Sequence, residues 1–273
     1  MLQFITARRI NNIFIKKNMS SRFFLSFCVF LLLACNEQKN KGEATENNTI
    51  TPVSDPVKVI PISHGSLILE ADGEVIYIDP TGGEEAYQGQ KKPTMVFITD
   101  IHGDHLSLNT LEAINITNVP LIAPRAVLDK IPSSLAKNTR EAENNLNYEV
   151  RGISFEVIPM YNLREEALQF HEKGRGNGYV IALAGQRIYI SGDTEDIPEM
   201  RQLQEIDKAF VCMNLPYTMP VESAADAVLD FKPKKVYPYH YRGQGGLSDV
   251  QKFKTLVNTG NSDIEVIQLN WYK

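Results

Sequence analysis

The run Asp100-Ile101-His102-Gly103-Asp104-His105 packs two imidazoles and two carboxylates into six residues, directly after the apolar stretch Met95-Val96-Phe97-Ile98-Thr99. That stretch reads as a buried strand, so the polar string stands at a strand end, on a rigid support. Few loops need such a string for stability. Imidazole and carboxylate are the usual hydrolytic zinc ligands, and Gly103 lets the loop turn sharply enough for neighbouring side chains to converge on a metal pair. The bland alternative is a solvated polar loop. Three further candidates stand beside predicted strands: His171 before a glycine-rich loop, Asp193 after Tyr189-Ile190-Ser191, and His240 after Val236-Tyr237-Pro238-Tyr239.

Apolar and alternating runs predict strands over 57–62, 66–70, 75–78, 94–99 and 119–122, with a helix over 108–114 capped by Ser107 and a short helix over 126–131. The second half predicts strands over 148–150, 153–159, 179–183 and 187–191, the last two joined by Gly185-Gln186. Helices over 197–203, 221–231 and 249–257 then alternate with strands over 208–213, 235–239 and 264–269. Strands precede helices in each half, which points to sheets in the middle and helices outside.

In order, spacing and motif type, residues 57–273 resemble the metallo-β-lactamase fold superfamily of binuclear metal hydrolases. The openings Ile62-Ser63-His64-Gly65-Ser66-Leu67 and Ile76-Tyr77-Ile78-Asp79-Pro80 are most similar to the ascorbate-6-phosphate lactonase branch. The resemblance implies an α/β fold of four layers, an αββα sandwich, with two divalent metal ions at one edge between the sheets. It implies zinc, with manganese or iron as alternatives. Laid over the family pattern HxHxDH, the string gives Asp100, His102, Asp104 and His105, with aspartate in the first histidine's place. His102 and His171, with Asp100, would hold one metal; Asp104, His105 and His240 the other; Asp193 would bridge. Asp100 as a ligand makes the first site oxygen-rich and more tolerant of manganese or iron. Asp100 as an orienting carboxylate instead points to a one-metal enzyme.

The chemistry expected is hydrolysis of an ester, lactone or phosphoester by water whose pKa the metal lowers toward about 7. Asp104 and Asp193 are the catalytic carboxylates. No GxSxG context surrounds Ser63, Ser66 or Ser191, and Cys212, in an apolar run, reads as a small buried hydrophobe. His64 is read as a structural or supporting residue ahead of substrate contact, and Asp79 as a brace for the metal loop. Lys173 and Arg175, interleaved with Gly174, Gly176 and Gly178, form a candidate anion nest for a phosphate or carboxylate, against a mobile solvated loop. Arg242 and Tyr217 are further substrate-binding candidates. The rival reading is a lipid-anchored binding or scaffold protein with a structural or degenerate metal centre.

Ahead of the domain, Arg8, Arg9, Lys16, Lys17 and Arg22 precede the apolar stretch Phe23 to Leu33, which is too short to span a membrane and reads as a secretory signal over residues 1–34. Met19 is an alternative start. Leu32-Leu33-Ala34-Cys35 resembles a bacterial lipobox, implying a lipid anchor at Cys35 and an exported protein on a bacterial membrane, at the periplasmic face or cell surface. Residues 35–56, polar and without aromatics, read as a flexible tether. Removing residues 1–34 takes away five basic residues and no acidic one, so the formal net charge of -5 falls to about -10 and nucleic acid is a poor partner. The expected partner is a small-molecule substrate, anionic if the nest is real; oligomeric state stays open.

Overall fold

The computed structural model describes residues 55–272. The expected signal, tether and Cys35 lie outside the described residues, save Asp55 and Pro56. A six-stranded sheet lays β1 (Lys58–Ser63), β2 (Ser66–Ala71), β3 (Glu74–Ile78), β4 (Met95–Phe97), β5 (Leu121–Ala123) and β6 (Thr139–Glu141) side by side in chain order. The second sheet is built from β7 (Asn147–Val150), β8 (Ile153–Met160), β9 (Gly176–Leu183), β10 (Gln186–Ile190), β11 (Lys208–Val211) and β12 (Lys235–Pro238). A small hairpin of β13 (Arg242–Gly243) and β14 (Gly246–Leu247) follows, and β15 (Glu265–Val266) closes the second sheet beside β12. The helices are α1 (Leu108–Ala113), α2 (Arg125–Leu128), α3 (Pro198–Arg201), α4 (Val221–Phe231) and α5 (Val250–Gly260).

Strand β2 shows how the layers arise. It is buried throughout, and its alternating side chains divide between two cores. Leu67 and Leu69 join Phe155, Val157 and Tyr179 of the second sheet, whereas Ile68 joins Leu111 of α1 and Val127 of α2. Phe97 bridges the sheets, its ring meeting those of Phe155 and Tyr179 edge-on with centroids 5.0 Å apart. Beyond the second sheet, α4 and α5 bury Ala224, Val228, Phe231, Phe253 and Val257 in the same core. The layers therefore run helix, sheet, sheet, helix, the αββα sandwich the resemblance implied.

Strand direction decides where the chemistry goes. β3, β4 and β5 are parallel, as are β10, β11 and β12, while β1 and β8 are each two antiparallel steps from a parallel neighbour. Within each sheet the carboxyl ends of β1, β3 and β4 and of β8, β10, β11 and β12 therefore lie on one side, and the gathering of His105, after β4, with Asp193 and His240, after β10 and β12, puts both sets at the same edge of the sandwich.

Several local expectations are corrected. The β9–β10 turn is Ala184-Gly185, since Leu183 pairs with Gln186 and both turn residues have positive φ, 49° and 71°. The expected strand over 264–269 is only Glu265–Val266, and β6 and the β13–β14 hairpin lack a periodic signal. Gly176 and Gly178 belong to β9, not to a loop. A Cβ at Gly178 would lie 3.0 and 3.1 Å from the carbonyl oxygens of Ile190 and Ser191, so hydrogen there permits close strand approach.

Candidate metal centre

Each candidate side chain sits just past one of those carboxyl ends. Asp79 follows β3, Asp100 to His105 follow β4, Asp193 follows β10 and His240 follows β12. His64, Asp79 and His240 all hold positive φ, 54°, 45° and 46°, a conformation non-glycine residues adopt at a cost of order 1 kcal/mol or more. Gly65 is needed beside them, because a Cβ there would stand 2.7 Å from His240 Cδ2.

Asp104, His105, Asp193 and His240 converge on one point. His105 Nδ1 donates to Asp79 Oδ2 at 2.8 Å, and Asp79 is itself held by the amide and hydroxyl of Thr99 at 2.7 and 2.6 Å. That bond leaves the lone pair of His105 Nε2 aimed inward, 3.5 Å from Asp193 Oδ2. His171 behaves alike: Nδ1 donates to the Tyr217 carbonyl at 3.1 Å, and Nε2 stands 3.4 Å from the same Asp193 oxygen. His240 Nε2 lies 3.3 Å from Asp104 Oδ2 and 3.5 Å from Asp193 Oδ1.

These separations test the fit of a metal. Ligand atoms about 2.1 Å from a tetrahedral ion stand roughly 3.4 Å apart, and the observed edges are 3.3 to 3.5 Å. His105 Nε2, His240 Nε2 and Asp193 Oδ1 are buried without a hydrogen-bond partner. Imidazole lone pairs facing an ionised carboxylate repel unless a cation lies between them. The donor set fits a divalent ion.

The electrostatics agree. Burial works to raise the Asp193 carboxyl, but the imidazoles of His240 and His105 hold it well below the usual range. Burial likewise opposes ionisation of Asp104 and is outweighed by His240 and His64. For His105 burial disfavours charge, yet the carboxylates of Asp193 and Asp79 push its proton affinity well up. Two ionised carboxylates, with an imidazole they draw toward positive charge, mark a point where a cation is favoured.

Asp100, His102 and His171 form a second group of a different kind. Asp100 Oδ2 is 2.6 Å from His102 Nδ1, a hydrogen-bond distance, shorter than a shared-metal edge. Arg175 grips both Asp100 oxygens at 3.3 Å and also donates to the Phe170 carbonyl. Burial would raise Asp100, but the His102 hydrogen bond and the charges of His105, His102 and Arg175 lower it to about 2. The carboxylate is neutralised by protein before any cation arrives.

A cavity of about 250 Å³ opens over the centre, lined by His102, Asp104, Phe170, His171, Asp193, Asn214 and Tyr217. The anion nest is not assembled there. Arg175 is turned onto Asp100, and Lys173 is paired with Glu199 at 2.9 Å and lies 4.3 Å over the Tyr161 ring. Arg242 stacks over Tyr272 at 4.1 Å, so none of the three lines the cavity, whereas Tyr217 does.

His64 is placed behind Asp104. The Tyr272 hydroxyl accepts from the amides of Tyr241 and Arg242 at 3.0 and 2.9 Å and donates to His64 Nδ1 at 2.8 Å. His64 Nε2 therefore carries the proton and faces Asp104 Oδ2 at 3.3 Å. Tyr272, Thr99, Asn214 and Phe170 carry no local signal in the sequence; each is an ordinary residue whose placement depends on a distant segment.

A family model described as a beta-lactamase superfamily domain matches residues 59–240. Among curated relatives, a UPF0173 metal-dependent hydrolase of Pyrococcus abyssi is 29% identical over 215 residues, 74% of this chain and 92% of its own. One from Archaeoglobus fulgidus is 28% identical over 225 residues, covering 78% and 96%. A crystal structure from Parabacteroides distasonis, described as a metal-dependent hydrolase, superposes with TM-score 0.71 at 34% identity over 79% of this chain and 94% of that one. Igni18, a metallo hydrolase from Ignicoccus hospitalis, shares the fold with TM-score 0.66 at 24% identity, covering 78% and 94%.

Proposed function

Because the chain belongs to the beta-lactamase superfamily, we propose that it is a metal-dependent hydrolase with one tightly held divalent ion, zinc, on Asp104, His105, Asp193 and His240. The observation that carries this is the convergence of unpartnered His105 Nε2, His240 Nε2 and Asp193 Oδ1 in a buried point at shared-ligand spacing. His171 and His102 offer the additional donors from the Asp100 side. When bound, the ion supplies Lewis acidity and lowers the pKa of water toward about 7.

The chain's own residues do the rest. Asp104 and Asp193 line the cavity as ionised acceptors that orient an attacking water. Asn214 Oδ1 is taken by the Thr218 hydroxyl, leaving its amide to donate to a substrate carbonyl oxygen. Phe170 and Tyr217, edge to face at 5.1 Å, wall the cavity from solvent. A cysteine nucleophile is disfavoured by burial, which pushes the Cys212 thiol up to about 12.

The test is turnover of an aryl ester, a lactone and an aryl phosphodiester by metal-loaded protein. His240→Ala and Asp193→Asn should each abolish it with the circular dichroism unchanged; full activity in both overturns the reading. Chelation that unfolds the protein, with no turnover before it, would favour the scaffold alternative. We also hold to export with acylation at Cys35, supported by the basic, apolar and lipobox segments; among the described residues no helix is long and apolar enough to cross a membrane. Mass analysis of the mature N-terminus, with Cys35→Ser as control, checks this.

A further inference from the structure

Seven large apolar side chains are exposed among the described residues, and five of them, Leu163, Leu168, Leu215, Tyr217 and Leu247, lie on three segments that reach the cavity lining at Phe170 and Tyr217, along the chain or through hydrogen bonds between the segments. Single exposed leucines are ordinary, but a group beside a concave site is not. The segments are joined to one another. Arg164 donates to the carbonyls of Pro216 and Thr218 at 3.0 and 2.8 Å, tying 163–168 to 215–218. The Gln244 amide donates to the Leu215 carbonyl at 3.1 Å, tying the β13–β14 hairpin to the same loop. Phe170 and Tyr217 continue the apolar surface from the rim into the cavity.

Charge on this rim points the same way. Among the described residues the cations near it are engaged: Arg164 on Glu195 at 2.6 Å, Lys173 on Glu199, Arg175 on Asp100, and Arg242 on the Tyr272 ring. Among the described residues no lysine or arginine lines the cavity, whose acidic side chains are the carboxylates of Asp104 and Asp193. A phosphate or carboxylate headgroup finds no side-chain cation to replace its water, whereas a hydrocarbon chain finds a wall that removes it from water.

Resting on the hydrolase reading above, we propose that the substrate is an ester or lactone of an uncharged, apolar acyl chain, with the carbonyl at the metal centre and the chain along Phe170, Tyr217 and the Leu163, Leu168 and Leu215 rim. Hydrolysis joins a water oxygen to the acyl carbon and breaks the acyl–oxygen bond. One proton of the water goes to the departing alkoxide, so ester and water yield acid and alcohol with no other reactant.

The experiment uses the zinc-loaded full chain carrying Cys35→Ser, so that no lipid anchor intervenes. Calorimetry compares octanohydroxamate with acetohydroxamate, which share a headgroup, and kinetics compare p-nitrophenyl octanoate with the acetate. The longer chain should bind, and be turned over by kcat/KM, at least about tenfold better. Leu168→Ser with Leu215→Ser should cut both ratios to about threefold or less. A wild-type ratio near one, or octyl phosphate binding more tightly than octanohydroxamate, overturns the proposal. So does a ratio that survives the double substitution, including the case in which that variant instead loses affinity for phosphatidylcholine vesicles and the rim is a membrane contact. If no ester is hydrolysed while the calorimetric ratio stands, the hydrolase reading fails and the acyl site remains.

Discussion

A buried carboxylate beside a metal centre ordinarily attracts the cation, but Asp100 is already answered by Arg175 on both oxygens and by His102 Nδ1. The pair leaves the Asp100, His102 and His171 group without net negative charge, so a second divalent ion has little electrostatic reason to enter. Arg175→Gln should restore that charge and tighten the second metal equivalent by about tenfold or more. Titration calorimetry reads this directly, and unchanged second-equivalent affinity would show that the guanidinium does not offset Asp100. On the opposite side, Tyr272 sets the His64 tautomer from the far end of the described chain. Tyr272→Phe removes the donor to Nδ1 and should lower kcat by about tenfold while metal content stays at the wild-type value. The string from Asp100 to His105 was legible as a metal-centre candidate because its residue types are adjacent in sequence. The roles of Arg175 and Tyr272 were not, since 75 and 208 positions separate them from their partners Asp100 and His64.

At the scale of elements, periodicity located α4 with its bounds unchanged, since its buried residues Val221, Ala224, Ala225 and Val228 fall at helical spacing. The helix ends at Lys232, in the left-handed conformation, with Pro233 unable to extend it. The same reading failed for the glycines before Tyr179, because interleaved glycines and cations mark a flexible loop as well as a strand pressed against its neighbours. Gly178→Ala separates the two meanings. Its Cβ meets two backbone carbonyls of the β10 strand end, which cannot retreat without parting the strands. The expected loss is about 1–3 kcal/mol in urea unfolding, whereas a solvated loop would absorb alanine with no measurable change.

For the whole molecule, Asp55 and the metal centre tie distant parts of the chain together. Lys208 is fully buried, and Asp55 meets its ammonium at 2.6 Å and that of Lys235 at 2.9 Å. Burial would raise the Asp55 carboxyl, but Lys208, Lys235 and the Val57 amide bring it down to about 2. A depressed folded pKa contributes stability that is present above the unfolded value near 4 and is lost as pH falls through about 2. Asp55→Asn should therefore lower Tm by several degrees at pH 7, with the difference from wild type shrinking between pH 4 and 2. An equal difference at both ends would show that the carboxylate's charge is not what matters. The centre joins the two sheets through His105, Asp193 and His240, so chelation should lower Tm as well as stop turnover, and restored metal should recover both.

Sequence alone determined the order of strands and helices, because their periods are local; the four-layer sandwich came through the family resemblance, and the residues proposed for the centre stood out because imidazole and carboxylate side chains are chemically distinct. Only the tertiary structure decided which carboxylate faces unpartnered imidazole nitrogens and which is paired with arginine, and it turned the cations of the expected anion nest onto carboxylates while gathering leucines from three loops. Charge balance and surface continuity belong to groups brought together by folding, and neither is written in the order of the residues.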